Sequence, residues 1–238
     1  MSINVFIGTS PNGEDREIEL VYEYTLRKNC SEDINITWMK LSENKKDIWG
    51  GWKTSKWFTP FSGLRWAIPH ACNFSGKALY TDVDMINFKD ICDLYYSDMN
   101  GKPFAARKGR RWGHELCVML IDCEKAGDYI WDLRKLKKDK SSHAHHRHFV
   151  SESELVHEID PRWNCLDGEN LPLEKIYQLH FTNMSTQPWH PSWYKGKALL
   201  HERMDILNKF FELKDEALNS GMSLASIPEK KISYDILL

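Results

Sequence analysis

The 238-residue chain is 42% hydrophobic and 28% charged, which is enough apolar residue for one large α/β domain and too much for a disordered segment. Its 32 Lys and Arg against 34 Asp and Glu leave a formal net charge of −2, so no overall basic field draws it to nucleic acid. The mean hydropathy is −0.54, and the most apolar runs, such as Val118-Met119-Leu120-Ile121, fall far short of the roughly 20 residues that a membrane span needs.

Met1 to Ile7 carries neither a basic region nor a cleavage site, so a secretory leader is not expected. The cysteines, Cys30, Cys72, Cys92, Cys117, Cys123 and Cys165, form no C-x-x-C pair. Reduced, scattered thiols in a cytoplasmic protein are the expectation.

Residues 4–7 read as a strand stopped by Gly8, with a loop through Gly13, and residues 14–27 have helical spacing through Ile18, Val21, Tyr22 and Thr25. Residues 34–38 alternate as a second strand. This βαβ start points to a mostly parallel sheet with helices on its faces. Residues 42–59 read as loop, and residues 61–68 as a short helix ended by Pro69. A buried strand over residues 77–81 is broken by Asp82-Val83-Asp84. A helical turn over 90–96 and strands over 103–106 and 115–122 follow.

Residues 133–149 differ from their surroundings, with Lys135, Lys137, Lys138, Lys140 and Arg147 among His143, His145, His146 and His148. A solvated mobile loop is the first reading. A lid that orders over a ligand and a second metal site are the others, although the spacing matches no zinc pattern. Arg107, Lys108, Arg110 and Arg111 read as a solvated face, or else as a contact for an acidic acceptor.

Residues 176–181 form a last strand-like run. Residues 197–218 are amphipathic, with Leu200, Met204, Leu207 and Phe211 as the apolar stripe and Gly221 suited to the C-cap. Lys197, Arg203, Lys209 and Lys214 face Glu202, Asp205, Glu212, Asp215 and Glu216. A balanced polar face of this kind is expected to pack on protein, either its own domain or a second copy of the chain, rather than on an anionic membrane. The expected division is a domain over 1–195 and a helical extension over 196–238.

The sharpest chemical signal is Tyr80-Thr81-Asp82-Val83-Asp84. Side chains two apart on extended backbone share a face, so Asp82 and Asp84 stand together at the C-terminal end of a strand, where open α/β sheets bind ligands. Two carboxylates so close repel one another unless a cation sits between them, and oxygen donors suit Mg2+ or Mn2+. The alternative is a solvated acidic turn. His180, between Leu179 and Phe181, reads by itself as a satisfied core histidine.

In combination these segments resemble the family 8 glycosyltransferases, the retaining, nucleotide-sugar-dependent group with a GT-A fold that includes glycogenin and the bacterial lipopolysaccharide galactosyl- and glucosyltransferases. The likeness runs from Asn4 to Trp189 at several points in the right order. It includes the first strand and its loop, and Phe61-Ser62-Gly63-Leu64-Arg65-Trp66 with its arginine. It also includes the strand ending in Asp82-Val83-Asp84, the strand from Glu115 to Asp122, Ser151-Glu152-Ser153-Glu154, Arg162-Trp163-Asn164, and the segment from His180 to Trp189. The chain departs from the family pattern at Gln187, where the family has Lys, at Glu115 and Cys117 in place of Asn and Gly, and at Ser153 in place of Gln. Lys195 or Lys197 is the candidate to supply the missing cation.

The resemblance implies a Mn2+ (or Mg2+) ion held by Asp82, Asp84 and His180. It implies a donor site with Ile7, Gly8, Thr9, Arg65, Val83, Gln187 and Lys195, and a sugar-contacting element of Glu152, Ser153 and Glu154. The implied reaction moves a hexose from a nucleotide diphosphate sugar, UDP-glucose or UDP-galactose, to a glycan acceptor by front-face transfer with retention. Trp112 and Trp189 are candidate acceptor contacts, against a core role for most of the ten tryptophans. The alternative function is a sugar-nucleotide-binding protein with little or no turnover, which the departures at Gln187 and in the pocket strand suggest. A haloacid-dehalogenase-type phosphatase would carry its Asp-x-Asp on the first strand. A nucleotidyltransferase would need a basic residue in a Gly-rich first loop, and the loop from Gly8 to Gly13 has none.

Overall fold

The computed structural model describes residues 2–111 and 113–237. The expected βαβ start is present: β1 (Ser2–Gly8) and β2 (Asp33–Met39) pair in parallel and are joined by α1 (Arg16–Asn29). Ile18, Val21, Tyr22 and Leu26 of α1 are fully buried, which is the spacing of a helix laid on a sheet. β1 reads as a nearly continuous apolar run because the sheet is covered on both faces.

Four more strands complete the central sheet: β3 (Lys77–Asp82), β5 (Phe104–Lys108), β6 (His114–Asp122) and β7 (Val156–Glu158). Their order is β2-β1-β3-β6-β5-β7, and β6 alone runs against its neighbours, so the sheet is mostly parallel. A small second sheet has the order β4 (Met85–Asn87), β9 (Gln178–His180), β8 (Cys165–Leu166). Asp82 closes a strand of the first sheet and Met85 opens a strand of the second. Val83 and Asp84 are therefore the step between the two sheets.

Short helical turns stand at α2 (Ile68–Ala71), α3 (Cys92–Tyr95) and α4 (Cys123–Ala126). Pro69 does not end a helix as expected. A 3-10 turn, Leu64–Ala67, precedes α2, and Pro69 lies in the first turn of α2, where no backbone N–H is needed.

Residues 133–149 are not a solvated loop. They form α5 (Leu133–Lys138) and most of α6 (Ser142–Glu152), with Leu136, His143, His146 and Val150 buried. The Asp132 side chain caps α5 by accepting from the Lys135 N–H at 3.0 Å. The sequence reading failed because it counted every histidine as polar. Two of the four bury here by pairing ring nitrogens: His143 Nδ1 accepts from Trp66 Nε1 (3.0 Å), while His146 Nδ1 donates to Ser142 O (2.8 Å) and its Nε2 accepts from Trp131 N (3.3 Å).

The floor beneath α6 is tightly packed. A β-carbon on Gly63 would lie 2.2 Å from Trp57 Cζ2. Gly63→Ala is expected to lower stability by on the order of 2 kcal/mol through overpacking, read as a shift in the urea midpoint.

α7 (Met204–Asn219) begins later than expected and turns a different face inward. Ile206, Phe210, Leu213 and Ala217 are buried with Leu207 of the expected stripe, whereas Leu200, Met204 and Phe211 are 70, 46 and 44% exposed. Apolar residues surround so much of this helix that periodicity does not fix its phase. The buried face stacks Phe210 on Trp189, with ring centroids 5.6 Å apart. Lys214–Glu17 and Lys28–Glu216 ion pairs, both 2.6 Å, join α7 to α1. Gly221 follows the helix with φ +92°, a conformation that favours glycine. Residues 222–237 lack regular structure and run back over the loop after β1, where Ile232 and Asn12 exchange two hydrogen bonds of 2.7 and 3.1 Å. Among the described residues no helix is long and apolar enough to cross a membrane.

Candidate active site

Strand pairing assembles the centre. Met85 pairs with His180 across β4 and β9, and Phe181 N donates to Asp84 O at 2.9 Å. These contacts bring His180, nearly a hundred residues downstream, beside the Asp82–Asp84 step. His180 Nε2 lies 3.4 Å from Asp84 Oδ1. His180 Nδ1 donates to Asn164 Oδ1 at 2.9 Å, which leaves the Nε2 lone pair for the centre. Asn164→Leu is therefore expected to weaken Mn2+ affinity about 10-fold or more with the fold retained, as measured by calorimetry.

Asp82 is held from behind. Its Oδ1 accepts from Arg65 Nη2 (3.0 Å) and from the Tyr80 hydroxyl, and Arg65 also donates to Leu116 O and to Ser62 O. Arg65 is thus a buried partner of the carboxylate and not a surface arginine. Asp84 Oδ1 is buried without a hydrogen-bond partner among the described residues. Burial raises the Asp84 carboxyl above its ordinary range, with His180 pulling the other way. The His180 imidazole, which burial alone would lower, is raised by Asp84.

Cys117 also comes near: its Sγ, an Asp82 oxygen and a His180 nitrogen lie within 4.8 Å of one another. Burial pushes this thiol well above its usual range. Two carboxylates and an imidazole, with one buried oxygen lacking a partner, suit a hard divalent cation such as Mn2+ or Mg2+.

Two cavities meet at this centre and share Thr59, His180 and Thr182. The smaller, about 200 Å3, is lined by Asp15, Val83, Asp84, Gln187, Trp189 and Trp193. The larger, about 540 Å3, takes in Arg65, Asp82, Glu115, Cys117, His143 and Arg147.

Of the residues singled out in the sequence, Arg65, Asp82, Val83, Asp84, His180 and Gln187 come together here. Gln187 is buried and donates to Phe181 O at 3.1 Å. Ile7, Gly8 and Thr9 are buried at the end of β1 and line neither cavity; Thr9 donates to Glu19 Oε1 at 2.7 Å. The residue of that loop which reaches the smaller cavity is Asp15, raised to about 6 by burial. Lys195 is exposed and lines neither cavity.

Glu152, Ser153 and Glu154 also line neither cavity. α6 extends to Glu152, and the Ser153 hydroxyl bonds back to Val150 O at 3.0 Å, which leaves both glutamates exposed. Glu115 and Arg147 stand in the cavity wall instead. Trp189 is a core residue that also lines the smaller cavity, and Trp112 lies outside the described residues.

Sequence reasoning missed Asp15, Tyr80 and the role of Asn164. Tyr80 had a signal, since it shares a strand face with Asp82. Asn164 had one only through the resemblance, and Asp15 had none.

No protein-family profile matches the chain, and no curated protein matches it. Solved structures do. The glycosyltransferase GlyE of Streptococcus pneumoniae superposes with a TM-score of 0.59 at 16% identity, over 97% of this chain and 67% of GlyE. The galactosyltransferase LgtC, solved with donor and acceptor sugar analogues, superposes with a TM-score of 0.59 at 13% identity, over 96% of this chain and 98% of LgtC. The bifunctional glycosyltransferase WbbM gives 0.61 at 12% identity, over 92% of this chain and 51% of WbbM. The chain therefore spans about two thirds of GlyE and half of WbbM. At these identities the likeness establishes the architecture, the GT-A fold of glycosyltransferases.

Proposed function

We propose that the chain is a metal-dependent, retaining glycosyltransferase of the family 8 type, moving a hexose from UDP-glucose or UDP-galactose to a glycan acceptor. Residues 1–195 would form the transferase domain and 196–238 a C-terminal extension packed on it, in a reducing, cytoplasmic setting. The observation that carries this reading is the convergence of Asp82, Asp84 and His180, with the Asp84 Oδ1 buried and without a hydrogen bond among the described residues, at the junction of two cavities. An acidic turn with no ligand would be solvated rather than buried.

Asp82, Asp84 and His180 would hold the Mn2+ or Mg2+ ion. When bound, a divalent cation supplies charge neutralisation at the diphosphate leaving group. The chain's own residues orient the ligands. Arg65 and Tyr80 fix the Asp82 carboxylate, and Asn164 fixes the tautomer of His180. Val83 and Trp189 give the smaller cavity, which would take the nucleotide, an apolar part of its wall. The larger cavity would then receive the transferred sugar and the acceptor.

The test is release of UDP from UDP-glucose and UDP-galactose with Mn2+ over a panel of glycan acceptors. Metal-dependent UDP binding without release from any of them would replace this reading by a binding protein without turnover.

A further inference from the structure

From the arginines that line the larger cavity we infer that the acceptor is an anionic sugar, one bearing a phosphate or a carboxylate. This rests on the transferase reading above.

Four guanidinium groups line that cavity: Arg65, Arg110, Arg111 and Arg147. Arg65 is committed to Asp82, and Arg110 to Glu169 at 2.8 Å. Glu169 is occupied in turn. Burial would raise its carboxyl, but hydrogen bonds from Arg107 and Arg110 hold it down to about 2. Among the described residues neither Arg111 nor Arg147 has a carboxylate partner. Arg107, which the sequence placed on a solvated face, is buried in this network and so keeps Glu169 away from them.

An unpaired guanidinium lining a cavity offers a planar fork of donors that suits phosphate or carboxylate, and this cavity has two. They belong to the larger cavity and not to the smaller; Asp82 and His180 of the metal centre also line the larger cavity, so the titrations without UDP separate an acceptor anion from the donor diphosphate.

The same wall can recognise a sugar. Phe58 lines the cavity with 57% of its surface exposed, and the Arg147 guanidinium sits 6.0 Å from its ring centroid. An exposed aromatic face next to a cation suits a pyranose ring carrying a negative group. His143 adds a donor. Because Trp66 Nε1 can only donate, His143 Nδ1 must accept, and the ring proton therefore resides on Nε2 of this cavity-lining side chain.

The experiment is calorimetry on the full chain with glucose, glucose 6-phosphate, glucuronate and inorganic phosphate, each with and without UDP and Mn2+. Glucose 6-phosphate or glucuronate is expected to bind at least about tenfold tighter than glucose, and the stronger of the two identifies the anion. Arg111→Gln with Arg147→Gln should remove most of that preference, and Arg147→Glu should invert it. Both side chains are exposed, so the folded state should survive. Equal affinity for charged and neutral sugars would overturn the inference. So would a preference that persists in the double variant, or inorganic phosphate binding as tightly as the sugar phosphate. UDP with Mn2+, titrated alone in the same series, reads the transferase proposal separately. If UDP fails to bind, that proposal falls, and the titrations without nucleotide still decide the anion preference.

Discussion

Replacing Asp84 by Asn is expected to abolish metal-dependent UDP binding while leaving the melting temperature equal to or above that of the parent chain. The Asp84 Oδ1 is buried and has no hydrogen-bond donor among the described residues, with the His180 Nε2 3.4 Å away, and burial raises the carboxyl, so without a divalent cation the charge costs stability. An amide removes that cost together with the ligand. Asp82→Ala should behave differently, because the Asp82 Oδ1 is the partner of the buried Arg65 guanidinium and of the Tyr80 hydroxyl. Removing it strands a buried charge, with an expected loss of about 3–5 kcal/mol in addition to the lost activity. For both variants the transfer rate should fall on the order of 10³-fold, equivalent to about 4 kcal/mol of transition-state stabilisation. Calorimetry with UDP and Mn2+, paired with thermal melts, separates the two cases. Metal-dependent affinity that survives in Asp84→Asn would remove this residue from the ligand set.

Acid should loosen the α5–α6 region before the rest of the chain. His146 is fully buried, and burial lowers it from 6.5 to about 4. Above pH 6.5 both folded and unfolded chains hold it neutral. Below that the unfolded chain takes up a proton that the folded one refuses until about pH 4, so stability falls as pH drops through this window. The size of the effect is roughly 2–3 kcal/mol at pH 4. His143 is also held well below its ordinary value, chiefly by burial, and acts in the same direction. Asp15, raised to about 6 by burial, acts in the opposite direction, since the folded state then binds its proton first. The decisive quantity is therefore the difference between parent and His146→Gln in urea midpoints from pH 7.5 to 4. Glutamine keeps an amide donor and acceptor but does not titrate. The parent should lose more stability than the variant on acidification, and parallel curves would show that His146 carries no pH-dependent stability.

The βαβ start, the strand ending at Asp82 and the pairing of two carboxylates there were legible from the sequence. Their signals are local: β-branched runs, helical spacing and the two-residue alternation of a strand each lie within a dozen residues. The phase of α7 and the helices at 133–152 were not legible. An apolar residue can face any neighbour, and a histidine counts as polar or as core according to whether a partner such as Trp66 or Trp131 is there to satisfy its nitrogens. The metal centre shows the same division. Asp82 and Asp84 announce themselves, but by itself His180 is an ordinary strand histidine until β9 pairs with β4 and sets it 3.4 Å from Asp84. Asp15 carries no local signal for the site; Asn164 has one only through the resemblance, and Arg111 and Arg147 only as the alternatives of an acidic-acceptor contact and a lid over a ligand, because what brings each of them to it is a contact made by a different segment of the chain. The sequence by itself determined the alternating sheet architecture and the acidic step at the end of β3. Only the tertiary structure decided which distant side chains face that step, because long-range strand pairing and the burial of polar partners are properties of the packed whole.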